Sequence, residues 1–95
     1  MKRFRWNQAK NEKLKAQGGI GFEEIVFHIE RGGLLDVLEH SNRERYAKQR
    51  IFVVERSGYV FLVPFIEDAE FVFLKTIIPS RKLTRLYLGK GARNR

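Results

Sequence analysis

The stretch from Arg50 to Ile78 constrains the fold more than any other part of the chain. Arg50 to Glu55 and Tyr59 to Phe65 are alternating runs rich in β-branched and aromatic residues, and Arg56-Ser57-Gly58 between them is turn chemistry. That pattern predicts a tight antiparallel hairpin. Pro64 falls late in the second run, where an edge strand or a strand end tolerates a missing N–H. Glu67-Asp68-Ala69-Glu70 reads as a further turn, and Phe71 to Ile78 as another strand. Leu34 to Glu39 alternates as well and precedes a polar connector, His40 to Gln49. Four consecutive strands therefore form an antiparallel meander whose register is set by short loops.

Helical signals flank the meander. Met1 to Trp6 reads as an extended first segment. Asn7 is a good N-cap, Gln8 to Gln17 is rich in helix formers, and Gly18-Gly19 stops the helix. Phe22-Glu23-Glu24 opens a second helix that ends near Gly32-Gly33. Its two glutamates sit where the helix dipole favours acids. Phe22, Ile25, Val26 and Ile29 share one face, and Phe27 falls off it. Pro79 and Ser80 introduce a last helix, Arg81 to Leu88, which Gly89 and Gly91 end. The order β-α-α-β-β-β-β-α is α+β, with the helices on one side of the sheet. The expected organisation is one domain over 1–91 and a frayed basic tail over 92–95.

Composition narrows the chemistry. The absence of cysteine excludes disulfides and thiolate metal sites, and two histidines make a His-rich centre implausible. Neither a metal nor a cofactor is expected. No apolar segment follows the basic start, and Tyr59 to Ile66 is too short to cross a bilayer, so a cytoplasmic protein is expected. The net charge is +8, and it is uneven. Residues 1–15 carry +5, residues 81–95 carry +6, and the stretch between them carries −3. If both ends fold onto one face, they make an anion-binding surface suited to nucleic acid. The plainer reading is a solvated basic surface.

Several segments, in order, resemble the BrnT-type toxin family, the ribonuclease halves of bacterial toxin–antitoxin pairs. Phe4-x-Trp6-Asn7-x-x-Lys10-Asn11 is similar to the family's F-x-W-D-x-x-K-x-x-x-N. Ile20-Gly21-Phe22-Glu23-Glu24 resembles V-S-F-E-E, and His40-Ser41-x-x-Glu44-Arg45 resembles H-S-x-x-E-x-R. Ile77-Ile78-Pro79-Ser80-Arg81-Lys82-x-Thr84-x-x-Tyr87 is similar to the closing I-I-S-A-R-x-A-T. The matches span roughly residues 4 to 87. Asn7 stands in place of the family's acid, Arg45 follows Glu44 directly, and Pro79 interrupts the S-A-R segment. The resemblance implies a small RelE-like fold, RNA cleavage without a metal, and neutralisation by a cognate antitoxin.

Metal-free RNA cleavage uses the RNA's own 2′-hydroxyl as nucleophile, so the protein must orient the chain, shuttle a proton and stabilise charge on phosphorus. The catalytic candidates are His40, Arg45, Lys75 and Arg81. Arg81 opens the last helix beside Ser80, where backbone N–H groups attract phosphate; its alternative is a surface arginine. Lys75 is a lone charge in an apolar strand, on the face of Phe71, Phe73 and Ile77 by alternation, and points into a cleft or snorkels at a sheet edge. His40 is the better proton shuttle of the two histidines; its alternative is a turn residue bonding its own loop. Glu44 orients Arg45 or acts as base. Lys10, Lys13, Ser80, Lys82 and Arg85 are expected to meet RNA, with Tyr46 and Tyr87 stacking a base or covering the sheet. An acidic antitoxin segment would use the same face. A non-catalytic nucleic-acid or protein binding module is the rival reading, and a DNA-reading helix-turn-helix protein ranks last.

Overall fold

The computed structural model describes residues 2–40, 42, 44, 45 and 48–93, with side-chain surroundings through residue 89. Strand β1 (Arg3–Trp6) leads into α1 (Gln8–Ala16) and α2 (Phe22–His28), and a wide turn, Ile29–Gly33, delivers the chain to the sheet. Strands β2 (Leu34–Glu39), β3 (Gln49–Arg56), β4 (Tyr59–Glu67), β5 (Phe71–Leu74) and β6 (Ile78–Pro79) follow, and α3 (Arg81–Arg93) closes the fold. The class is α+β.

Local chemistry accounts for most boundaries. The Asn7 side chain accepts from the Lys10 N–H at 2.8 Å, capping α1. Gly18, at φ +85°, turns the chain out of that helix. Ser57 and Gly58 both take positive φ, 53° and 81°, which is the two-residue hairpin turn matched to strand twist. Gly33 is required by space: a Cβ there would lie 2.8 Å from the backbone carbonyl oxygens of both Glu55 and His28.

The sheet is mixed. Its order is β1-β5-β4-β3-β2, with β6 also on β4. The β2–β5 meander is antiparallel as expected, but β1 runs parallel to β5, from Arg3 beside Phe71 to Trp6 beside Leu74. Both helices and the three strands β2 to β4 lie between β1 and β5, a connection long enough to permit parallel pairing.

Register assigns each side chain to a face. Phe4 and Trp6 share one face with Phe52, Val54, Val63, Phe65, Val72 and Leu74. Phe22 and Ile25 of α2 seal that face into the main core, with Phe52 and Phe65 stacked at its centre, rings 3.8 Å apart. Leu14 of α1 packs against the same cluster. The helices are not all on one side, however. Tyr87 of α3 bonds Asp36, which pairs with Val53 on the opposite face, and Val53 and Val60 there are fully buried. Helix α3 therefore covers part of the second face.

Three further expectations change. Phe71 to Ile78 is two strands, because the chain leaves β4 between Leu74 and Ile78 and turns Ile77 into the core. Pro64 lies inside β4 rather than at an end. Its missing N–H falls where β5 departs and β6 has not begun, and its carbonyl accepts from the Lys75 N–H at 2.8 Å. Helix α3 runs through Gly89 and Gly91 to Arg93. Gly89, unlike Gly18 and Gly32, does not take a positive φ, so it weakens the helix without ending it. The helix thus takes in residues assigned to a tail, and residues 94 and 95 lie outside the described part.

Candidate nucleic-acid interface

Two arrangements hold the framework under the site. The first is Asn11, the one buried polar side chain among the described residues. Its Oδ1 accepts from the Phe22 N–H at 2.7 Å, and its Nδ2 donates to both oxygens of Glu23 at 3.0 Å. Gly21 has no side chain to cap α2, so Asn11 supplies the cap from α1. The bond from Asn11, more than the nearby Lys15, holds the Glu23 carboxyl below its ordinary range. The second is the start of α3. Ser80 donates its N–H to Val60 at 2.9 Å, and Thr84 Oγ1 accepts from the Val60 N–H at 2.8 Å. The helix thereby completes the hydrogen bonding of β4 where no strand continues.

Helix α3 packs on β4 and reaches β2 through Tyr87, while on the half of this face nearer β1 and β5 Arg3, Arg5, Ile66 and Phe73 stay exposed. Arg3 and Arg5 reach it from β1, and Phe71 and Phe73 from β5. The Arg5 guanidinium stands 4.5 Å from the Phe71 ring centre, and Lys75 Nζ stands 5.8 Å from that of Phe73. Ile66 pairs directly with Phe73, and each is 37% exposed. Among the described residues no carboxylate lies within ion-pair distance of Arg3, Arg5 or Lys75. A shallow depression lined by Lys2, Arg3, Ala69, Glu70 and Phe71 extends the surface toward the β4–β5 turn. There Asp68 accepts from the Phe71 and Glu70 N–H groups, which lower its pKa, with Lys2 and Arg5 adding a smaller pull. The Lys2, Glu67 and Arg50 cluster belongs to the other face, where Lys2 chiefly holds the Glu67 carboxyl low.

The candidates from the sequence fall around this face unevenly. Lys75 lies on it, and its share of the face with Phe73 is as expected, although Ile77 is in the core. Ser80 is committed to structure: its Oγ accepts from the Leu83 N–H at 3.0 Å. Arg81, Lys82 and Arg85 are exposed on α3. Ser80 and Lys75 bond to Val60 and Pro64, four residues apart on β4, so Arg81 and Lys75 begin about 13 Å from one another. His40 and Arg45 lie beyond the end of β2, three strand spacings or about 14 Å across the sheet from β5. His40 Nδ1 accepts from the Asn42 N–H, and Asn42 Oδ1 accepts from the Arg45 N–H, both at 3.1 Å. This is the turn-histidine arrangement that the sequence left open.

Tyr87 donates to Asp36 at 2.8 Å, and that bond raises its pKa. Lys10 and Lys13 stand on α1, which packs on the core side of the sheet, and α3 lies on the other side, so the two basic helices do not join in one face. Tyr46 lies outside the described residues. Arg3, Arg5, Phe71 and Phe73 were not singled out as binders, because only the long-range β1–β5 pairing brings them together. Among the described residues no three His, Asp or Glu side chains cluster closely enough for a metal, and no helix is long and apolar enough to cross a membrane. Searches against family models, curated proteins and solved structures gave no match for the chain.

Proposed function

We propose that this chain is the toxin of a toxin–antitoxin pair, a RelE-like, metal-independent endoribonuclease that acts on RNA laid over the open half of the sheet. The observation that supports it is the set of cations Arg3, Arg5 and Lys75, unpaired with carboxylates, on a face that α3 leaves uncovered. Such a surface attracts a phosphate chain, although Asp68 and Glu70 stand at its β4–β5 end. In the reaction the RNA 2′-hydroxyl attacks the adjacent phosphorus, its proton leaves and the 5′-oxygen is expelled and protonated. The products are a 2′,3′-cyclic phosphate and a 5′-hydroxyl. Lys75, Arg81 and Arg45 stabilise the charge on phosphorus, and His40 takes the 2′-hydroxyl proton and returns one to the 5′-oxygen, directly or through water. The cognate antitoxin covers the same cations.

A second reading is a binding module without catalysis, favoured by the spread of the candidates: about 14 Å of sheet separates His40 from the strand that leads into Lys75. Induced expression with and without the adjacent gene, followed by mapping of RNA ends, tests the first reading. Growth arrest relieved by the neighbour, with 2′,3′-cyclic phosphate ends that vanish in Arg81→Ala, supports the toxin. Intact RNA with retained binding supports the module.

A further inference from the structure

We infer that the Arg5–Phe71 pair and Phe73 form a stacking platform for unpaired bases, which makes the ligand single-stranded rather than duplex nucleic acid. The inference rests on the nucleic-acid reading above and sharpens it, but it does not need catalysis.

Three features support it. First, Phe73 is a large apolar ring left exposed. It stands on the outer face of β5 with its cross-strand neighbour Ile66, so an apolar floor faces solvent. Second, the floor is walled by cations rather than by neutral polar groups: Arg3 and Arg5 along β1, and Lys75 where β5 ends. An apolar partner alone would gain nothing from that wall, whereas a nucleotide offers a flat base to the floor and a phosphate to the wall. Third, the Arg5 guanidinium already lies over the Phe71 ring, which fixes its plane and presents its outer side to a further flat group.

Spacing fits successive bases. Phe71 and Phe73 are two residues apart on one strand, about 7 Å. That matches the separation of adjacent bases in an extended single strand and exceeds the stacking repeat of a duplex. A duplex hides its base faces, so it would meet only the cations. Base identity should matter little, because every base has a π face and the floor offers few hydrogen-bonding groups.

The test uses a 2′-deoxy oligonucleotide, which the 2′-hydroxyl mechanism cannot cleave, so binding is read apart from activity. Fluorescence anisotropy would compare a labelled oligothymidylate of roughly twelve nucleotides with a duplex of equal length. The intact chain is expected to prefer the single strand. Phe73→Leu keeps apolar volume but removes the ring, and should weaken single-strand binding about tenfold while leaving duplex binding unchanged. Arg5→Ala should weaken it similarly and flatten the salt dependence by about one counterion. Unchanged thermal unfolding would certify both variants, and Ile66→Glu offers a third route to the same floor. Equal binding of single strand and duplex, or wild-type affinity in folded Phe73→Leu and Arg5→Ala, would overturn the platform. Binding without any RNA cleavage would leave the platform standing and sink the ribonuclease reading.

Discussion

Asn11 allows the sharpest test of how the fold is held. Replacing it with alanine removes the only acceptor for the Phe22 N–H, which lies at a fully buried residue, and both bonds to Glu23. An orphaned buried donor costs about 1–3 kcal/mol. Glu23 is 54% exposed, so water replaces most of what it loses, and its share is under about 1 kcal/mol. The expected loss is about 2–4 kcal/mol, a large part of the roughly 5–14 kcal/mol available to a domain of this size. In thermal unfolding this is a fall of about 10–20 °C. Asn11→Asp is the discriminating variant. It keeps an oxygen for Phe22 but sets a carboxylate against Glu23, so at pH 7 it should be at least as damaged as alanine. Glu23→Gln should rescue Asn11→Asp and not Asn11→Ala. In the wild type, Glu23 has a depressed folded pKa. Its contribution is therefore present above the ordinary carboxylate value of 4.5 and is lost as pH falls through the folded value. Urea unfolding by circular dichroism at several pH values reads all five chains. Asn11→Ala within about 0.5 kcal/mol of wild type, or no rescue by Glu23→Gln, would refute the cap assignment.

Three other perturbations follow from the hydrogen-bond pattern. Thr84→Val keeps side-chain shape but leaves the buried Val60 N–H without its acceptor, and should cost about 1–3 kcal/mol in urea unfolding, whereas Thr84→Ser should cost far less. Ser57→Asn places a residue tolerant of positive φ at the first turn position and should raise Tm by a few degrees, about 0.5–1 kcal/mol. Tyr87→Phe should cost about 0.5–1.5 kcal/mol near neutrality. The raised Tyr87 pKa means its contribution is whole below the ordinary phenol value of 10.0 and is lost as pH rises through the folded value, so the gap from wild type should close only in alkali.

What could be read along the chain depended on sequence distance. The hairpin over Ser57-Gly58, the cap at Asn7 and the apolar face of α2 are local, and each was legible from residue type and spacing, whereas Ser80, expected to meet RNA, caps α3. The β1–β5 pairing joins residues nearly seventy apart, and nothing within Arg3–Trp6 says which strand it will meet or in which direction. The placement of α3 was equally hidden. Its register on the second face is set by Thr84 at Val60 and Tyr87 at Asp36, contacts that no periodicity encodes. Gly89 misled because glycine ends a helix only when its φ turns positive, and sequence does not report φ. Asn11 and Glu23 lie in segments that carried the family resemblance, yet here they are joined structurally, one capping the helix that the other begins.

That last point bears on how the resemblance itself should be weighed. A residue in these segments serves either the fold or a ligand. Here the two kinds separate in space. Trp6 stacks on Phe22 with ring centres 5.7 Å apart, and Asn11 binds the start of α2, so the first two matching segments build the core and its lid. The closing segment divides: Ile77 is core and Ser80 is a cap, while Arg81 and Lys82 face solvent with nothing structural to do. On the proposed reading, stability and activity would therefore rest on different residues. Arg81→Ala and Asn11→Ala should accordingly fail in opposite ways when growth arrest is scored beside Tm. The first should abolish arrest at unchanged stability, and the second should lower stability first and arrest only as far as folded protein is lost. If Arg81→Ala arrests growth as the parent chain does, Arg81 has no part in the proposed activity, and the open sheet face is left as the candidate site.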